Sequence, residues 1–243
     1  TSSAQAASDF NLINKASAGM AQVSYIKADY STAWQTIKNV YAKDNKTFQV
    51  QYAEYGYAYA KQLIDKGSIK EGMEVYSKVE KLSKSANLSE SVYNQAVKLG
   101  EAGKIQESLN LLNQIKGNYA KAKTLYDSMN SFHKKVSLWL GTWKHRGTVN
   151  GEKTTYYITF SEVLYKGEPC IKIKDMNNKS LGYNVEISSK NHITQIEVGK
   201  YMIHFKLKNN HNQKLTYTLL EGKKMLRELK YEGVTYKTKY KKK

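Results

Sequence analysis

The sequence predicts an α+β protein with two segregated domains. An all-α array of helical hairpins is expected over residues 10–140 and an antiparallel β-barrel of about eight strands over 141–243, behind a flexible N-terminal segment at 1–9. Three observations carry this reading. The hydrophobic period changes near residue 140, from a spacing of 3–4 to strict alternation. A helical pattern recurs 36 positions apart in the first half. Tight-turn residues punctuate the second half at short intervals. Helix first and strand second argues for separate layers and not for a βαβ weave.

Composition narrows the function classes. The 243 residues hold 39 Lys+Arg against 21 Asp+Glu, a net charge of +18. Residues 1–140 carry 18 Lys against 12 acids, and residues 141–243 carry 21 basic residues against 9 acids, so the β half holds most of the excess. Only Arg146 and Arg227 are arginines. Lys attracts polyanions diffusely, whereas Arg supplies the planar fork for bidentate readout. This balance suits anionic surroundings better than sequence reading. The lone Cys170 has no internal disulfide partner and reads as a buried, inert thiol. No stretch approaches about 18 consecutive apolar residues. Ala4-Gln5-Ala6 fits the small-x-small pattern of a secretory cleavage site. The expectation is an extracellular or envelope-tethered protein, with a signal peptide or membrane anchor removed from this chain.

In the helical half, Gly67-Ser68-Ile69 through Val79 is matched by Gly103-Lys104-Ile105 through Ile115, with a fainter copy at Ala28–Val40. Ala33, Gly72 and Ser108 share a small-residue position. Ile37, Tyr76 and Leu112 share the large apolar position four residues on, and Val40, Val79 and Ile115 the next. These residues resemble degenerate tetratricopeptide repeats over roughly residues 10–117, although that family's Trp, Leu-Gly and Pro are replaced. The resemblance implies stacked helix pairs and a peptide-binding groove. A helix pair cannot bury its apolar stripe alone, so a cap is needed. Residues 118–139 supply it, with Tyr119, Ala122, Tyr126, Met129, Val136 and Leu140 at helical spacing. In the repeat register Tyr57, Lys61, Tyr93 and Val97 point to the groove, where Tyr and Lys would suit an extended or acidic peptide. The alternative is that Tyr replaces other bulky core residues.

In the β half, strands are expected near 142–149, 154–161, 169–175, 181–188, 192–198, 201–208, 214–220, 224–231 and 233–240. Asn150-Gly151 is a strong hairpin signal. Alternation makes Trp143, Tyr156, Ile158, Phe160, Ile171, Ile173, Leu181, Tyr183, Val185, Ile187, Tyr201, Ile203, Phe205, Leu207, Leu215, Tyr217 and Leu219 the inward set, enough to fill a small barrel. Gly141-Thr142-Trp143 resembles the Gly-x-Trp signature of the calycin superfamily, which includes lipocalins. There the Trp closes one barrel end, so the resemblance implies that Trp143 and Arg227 stack at that end. The basic tail, with Lys237, Lys239, Lys241, Lys242 and Lys243, is the candidate anionic-surface contact.

Signals of chemistry are absent from the sequence. His133, His145, His192, His204 and His211 lie at no metal-ligand spacing, and no phosphate loop or nucleophile elbow occurs. No cofactor and no metal are expected. The expected function is therefore that of a non-enzymatic, secreted or cell-envelope interaction protein, a lipoprotein among the possibilities. Its helical repeats would bind a protein or peptide partner, and its basic barrel would contact anionic polymers or lipid headgroups. A lipocalin-like binder of a small hydrophobic ligand is one alternative. A nucleic-acid-binding protein is another, against which scarce Arg counts. A carboxylate-pair hydrolase hidden in the barrel is the remaining one.

Overall fold

The computed structural model describes residues 2–82, 87–149, 151–176, 184–187, 193–198, 202–207, 214–231 and 233–243. Among the described residues seven helices precede an antiparallel sheet. The chain forms two compact units, one of Thr1–Ala96 with Gly117–Tyr119 and one of Val97–Lys116 with Ala120–Lys243.

The first unit contains α1 (Ser2–Ile26), α2 (Tyr30–Tyr41), α3 (Asn45–Asp65), α4 (Ile69–Val79) and the start of α5 (Ser89–Glu101), and α1 to α4 pack each on the next. Asp29 and Asp44 cap α2 and α3, each carboxylate accepting the amide of the residue three on at 3.1 Å. Trp34, Ile37, Ala60, Ile64 and Val79 are fully buried or nearly so. Small residues permit the close crossings. A Cβ on Gly56 would lie 2.6 Å from Val79 and 2.7 Å from Trp34, and one on Gly72 would lie 2.6 Å from Ile64. Tyr residues fill much of the remaining space: Tyr25 stacks on Tyr55 at 4.5 Å and Tyr41 on Tyr52 at 3.9 Å.

One junction occurs three times. Ala28, Gly67 and Gly103 have φ of 59°, 92° and 79°, and each directly precedes the N-cap of the next helix. The amides of Asp29, Ser68 and Lys104 reach back to the carbonyls of Ser24, Leu63 and Leu99 at 2.9, 2.9 and 2.8 Å. These are Schellman turns, in which a left-handed residue lets the chain satisfy the last carbonyls and reverse at once. Glycine takes that conformation at no steric cost, which explains two of the three residues.

The second unit joins the end of α5, α6 (Ile105–Ile115) and α7 (Ala120–Val136) to strands β1 (Gly141–Val149), β2 (Glu152–Tyr165), β3 (Glu168–Met176), β4 (Asn184–Ile187), β5 (Ile193–Val198), β6 (Met202–Leu207), β7 (Lys214–Leu220), β8 (Lys224–Tyr231) and β9 (Val234–Lys242). Gly141, at φ 111°, turns the chain from helix into strand. The sheet order is β4-β3-β2-β1-β9-β8-β7-β6-β5, antiparallel throughout.

The expected closed barrel of about eight strands is corrected to a curled half-barrel of six, β1–β3 and β7–β9, extended at its edges by the short strands β4, β5 and β6. Among the described residues β4 and β5 do not pair, so the sheet stays open. Of the expected inward set, Trp143, Ile158, Phe160, Ile171 and Tyr217 are buried with Val136, Trp139, Met225 and Tyr240, and Tyr156 and Leu219 pack against them. Phe160 meets the Tyr217 ring edge-on at 5.3 Å. Leu181, Tyr183, Tyr201 and the side chains of Ile173, Val185, Ile187, Ile203, Phe205, Leu207 and Leu215 lie outside the described residues. Ala122, Met129 and Val136 bury the inner stripe of α7, joined by Leu125.

Candidate functional site

Strand β9 sorts the basic tail onto two faces. Lys237, Lys239, Lys241 and Lys243 are exposed, whereas Tyr240 is buried and Lys242 half-buried between them. Alternation is the cause, since successive side chains of a strand point to opposite faces. Register extends the exposed row sideways. Lys241 lies opposite the half-buried Lys144 of β1 and the exposed Lys224 of β8, which puts three lysines in register across neighbouring strands. Lys239 faces Leu226, and Lys237 faces Glu228, with which it makes a 2.9 Å ion pair. Glu228 is the single acid of β1, β8 and β9, whose Lys and Arg number nine. Like charges directly opposite one another destabilise a sheet. Among the described residues the outer face of these strands therefore carries more cations than acids.

The seam between β1 and β9 is short, with Trp143 opposite Lys242 and Lys144 opposite Lys241. Side chains and chain ends extend it. His145 Nδ1 lies 2.9 Å from the Lys239 carbonyl, and the Lys243 amide donates to Thr142 at 2.8 Å.

Behind that seam is a second arrangement. The buried Trp143 indole donates to the Trp139 carbonyl at 2.9 Å. Lys242 Nζ lies 5.4 Å from the Trp143 ring centroid and donates to the Leu138 carbonyl at 3.0 Å. Lys242 thus places a cation over this Trp. Arg227 lies on β8, half-buried, opposite Tyr217 and Thr238. A cavity of about 430 Å³ opens beside Trp143, where the link after α7 meets the β7–β8 turn. Burial, and then the charge of Lys223, hold the Lys242 ammonium below its usual pKa.

A third arrangement joins α7 to β2. Glu162 lies in the inward register between Phe160 and Leu164, and its side chain is 1% exposed. Its Oε2 lies 2.7 Å from His133 Nδ1, and its Oε1 is buried without a hydrogen-bond partner. Burial raises the Glu162 pKa above 4.5, outweighing the opposing pull of His133. A cavity of about 400 Å³ adjoins the pair and the first turn of α6. An acid in an inward position of an alternating strand was the sequence signal for this pair, but the sequence gives no hint of the partner. Burial also raises the half-buried Cys170 thiol, aided by the Glu162 charge.

The candidate groove residues fall on α3 and α5. Tyr57 is half-buried, and its hydroxyl donates to the Asn87 carbonyl at 3.2 Å. Lys61 is tied to Asp65 at 2.6 Å, a bond that raises its pKa with help from the charges of Asp65, Tyr57 and Glu90. Tyr93 is half-buried and meets Tyr119 edge-on at 5.6 Å, and Val97 is half-buried. Lys61 is therefore already engaged within its own helix.

No group of three or more His, Cys, Asp or Glu able to hold a metal occurs among the described residues. No helix among them is long and apolar enough to cross a membrane. Comparison with family models, with curated proteins and with solved structures finds no match to this chain.

Proposed function

We propose that this is a non-enzymatic interaction protein of the cell envelope or extracellular space, which holds anionic polymer or lipid headgroups on the outer face of its half-barrel and a protein partner on its helices. The observation that carries this reading is the row Lys237, Lys239, Lys241 and Lys243, crossed by the line Lys144–Lys241–Lys224. Alternate residues of a strand repeat at about 6.8 Å, so the row offers a regular series of cations to a chain of negative charges. Each Lys near an anionic surface contributes about 1 kcal/mol, a sum large enough to retain the domain there.

The finer family readings belong to the same proposal. Degenerate tetratricopeptide-like repeats over roughly 10–117, capped by 118–139, are supported by the three Schellman junctions at Ala28, Gly67 and Gly103. A calycin-like fold for 141–243 is supported by Gly141-x-Trp143 at the opening of β1. A protein partner is supported by α1, whose Leu12, Ile13, Met20, Val23 and Ile26 are all more than half exposed. Binding of the full chain to anionic and to neutral vesicles, and to a phosphodiester polymer, tests the central reading. Binding to the anionic surfaces alone, lost at about 1 M salt where the Debye length falls to about 3 Å, is the expected result. Equal binding to neutral vesicles, or none to any anionic surface, contradicts it.

A further inference from the structure

We infer that the cavity beside Trp143 is a binding site for a single-chain anionic amphiphile, its aliphatic tail on Leu138, Leu219, Leu220 and Trp143 and its anionic head between Lys223 and Lys242. The site lies at the end of the half-barrel, between the link after α7 and the β7–β8 turn. It abuts the packed interior: Trp143 and Leu219 belong to both, while Trp139, Phe160 and Tyr217 fill the interior behind them.

Three observations on different atoms converge here. First, the cavity is apolar and of ligand size, at about 430 Å³. Leu138 and Leu220 in its wall remain 46% and 40% exposed, although both are large apolar side chains. An aliphatic chain laid between them would remove that surface from water. Second, two ammonium groups border the same cavity from different elements, Lys223 from the turn and Lys242 from β9. Burial first, and then the charge of Lys223, hold Lys242 below its usual pKa. The partners of Lys242, a carbonyl and an aromatic face, carry no negative charge. An anionic head between the two relieves that repulsion. Third, Lys223 sits at φ 56°, a left-handed position that Asn or Gly fills more readily than Lys. Glu221 opens the same turn and lines the cavity, leaving a local excess of one cation.

These features set the selectivity. A free anion gains nothing from the leucines, and an uncharged alcohol gains nothing from the lysines. This inference does not depend on the outer row of lysines, which lies on the opposite face of β9.

The test titrates the full chain with octanoate, decanoate and laurate below their micelle concentrations. Matched alcohols, inorganic phosphate and anionic vesicles serve as comparisons, with calorimetry and tryptophan fluorescence as readouts. The expected result is saturable one-to-one binding of the carboxylates that tightens about fourfold per added methylene. The alcohols should bind at least about tenfold more weakly, since hydrogen bonds to charged groups are the strong ones. Lys223→Asn removes a cation at a position whose backbone favours Asn, so the variant should fold. It should weaken the carboxylates and leave the alcohols unchanged, and Glu221→Gln should tighten the carboxylates. Lys239→Gln with Lys241→Gln should change none of these. Equal affinity for carboxylate and alcohol, phosphate binding as tight as laurate, no dependence on chain length, no effect of Lys223→Asn in a variant of unchanged melting temperature, or binding to vesicles without saturable monomer binding would each overturn the inference.

Discussion

His133 on α7 holds the buried carboxylate of Glu162 on β2 at 2.7 Å, and this contact ties a helix to the sheet it covers. The pair is unequal: Glu162 is 1% exposed at its side chain and His133 37%. Burial of the acid wins, so its folded-state pKa stands above the unfolded value of 4.5. Stability contributed by this proton is fully present below pH 4.5 and is lost as pH rises through the folded-state value. Glu162→Gln keeps an acceptor for His133 without the charge. It should exceed the parent in stability at pH 7, with the difference closing towards pH 4, in urea melts followed by circular dichroism. A loss of stability in the variant at both pH values would show instead that the ionised pair is net stabilising.

The junction at Ala28 offers a backbone test. Ala28 occupies φ 59°, where Gly67 and Gly103 occupy the matching positions. Ala28→Gly should stabilise the chain by about 1 kcal/mol, because an L side chain is strained in the left-handed region. Gly67→Ala should cost about the same. Nothing lies within 4 Å of a Cβ there, so strain and not crowding would be the cause. Thermal melts of the two variants check both signs.

Gly72 tests the close helix crossing. A Cβ at this position would lie 2.8 Å from the Ala60 carbonyl, a backbone atom that moves only with its helix. Gly72→Ala should therefore destabilise by roughly 1–3 kcal/mol despite its better helix propensity. Chemical denaturation reads the change. An unchanged midpoint would mean that α3 and α4 are not locked at this spacing.

Lys241 stands between Lys144 and Lys224 in the register of three strands. Removing its charge with Lys241→Gln should raise stability at low ionic strength by about 0.5 kcal/mol and give no gain at 1 M salt. Melting temperatures at about 10 mM and 1 M salt measure both arms. A residue kept at some cost to the fold is the pattern expected of a binding surface.

The sequence made some of this legible and concealed the rest for identifiable reasons. The change of period at Gly141 marks the passage from α7 to β1 because helices and strands impose different repeats on the same core. Gly67 and Gly103 announced their turns, whereas Ala28, with the same backbone, did not, because only glycine advertises a positive φ. The openness of the half-barrel was hidden, since closure depends on pairing between β4 and β5 and no local pattern reports it. The tail read as one basic patch. The strand period divides it, sending Lys242 to Trp143 and its neighbours Lys241 and Lys243 to solvent. Glu162 lies one residue past the expected strand 154–161, so its inward register went unread, and His133, 29 residues away on another element, was not visible as its partner.

The most direct test of the cationic outer face is the salt dependence of binding to a linear phosphodiester polymer, measured for the parent and for a variant carrying Lys239→Gln, Lys241→Gln and Lys243→Gln. Each cation that meets a phosphate adds about 0.7–0.9 to the slope of log K against log salt. The account predicts a variant slope shallower by about 2, with weaker binding at about 50 mM salt and an unchanged fold. Equal slopes and equal affinities in parent and variant would contradict it.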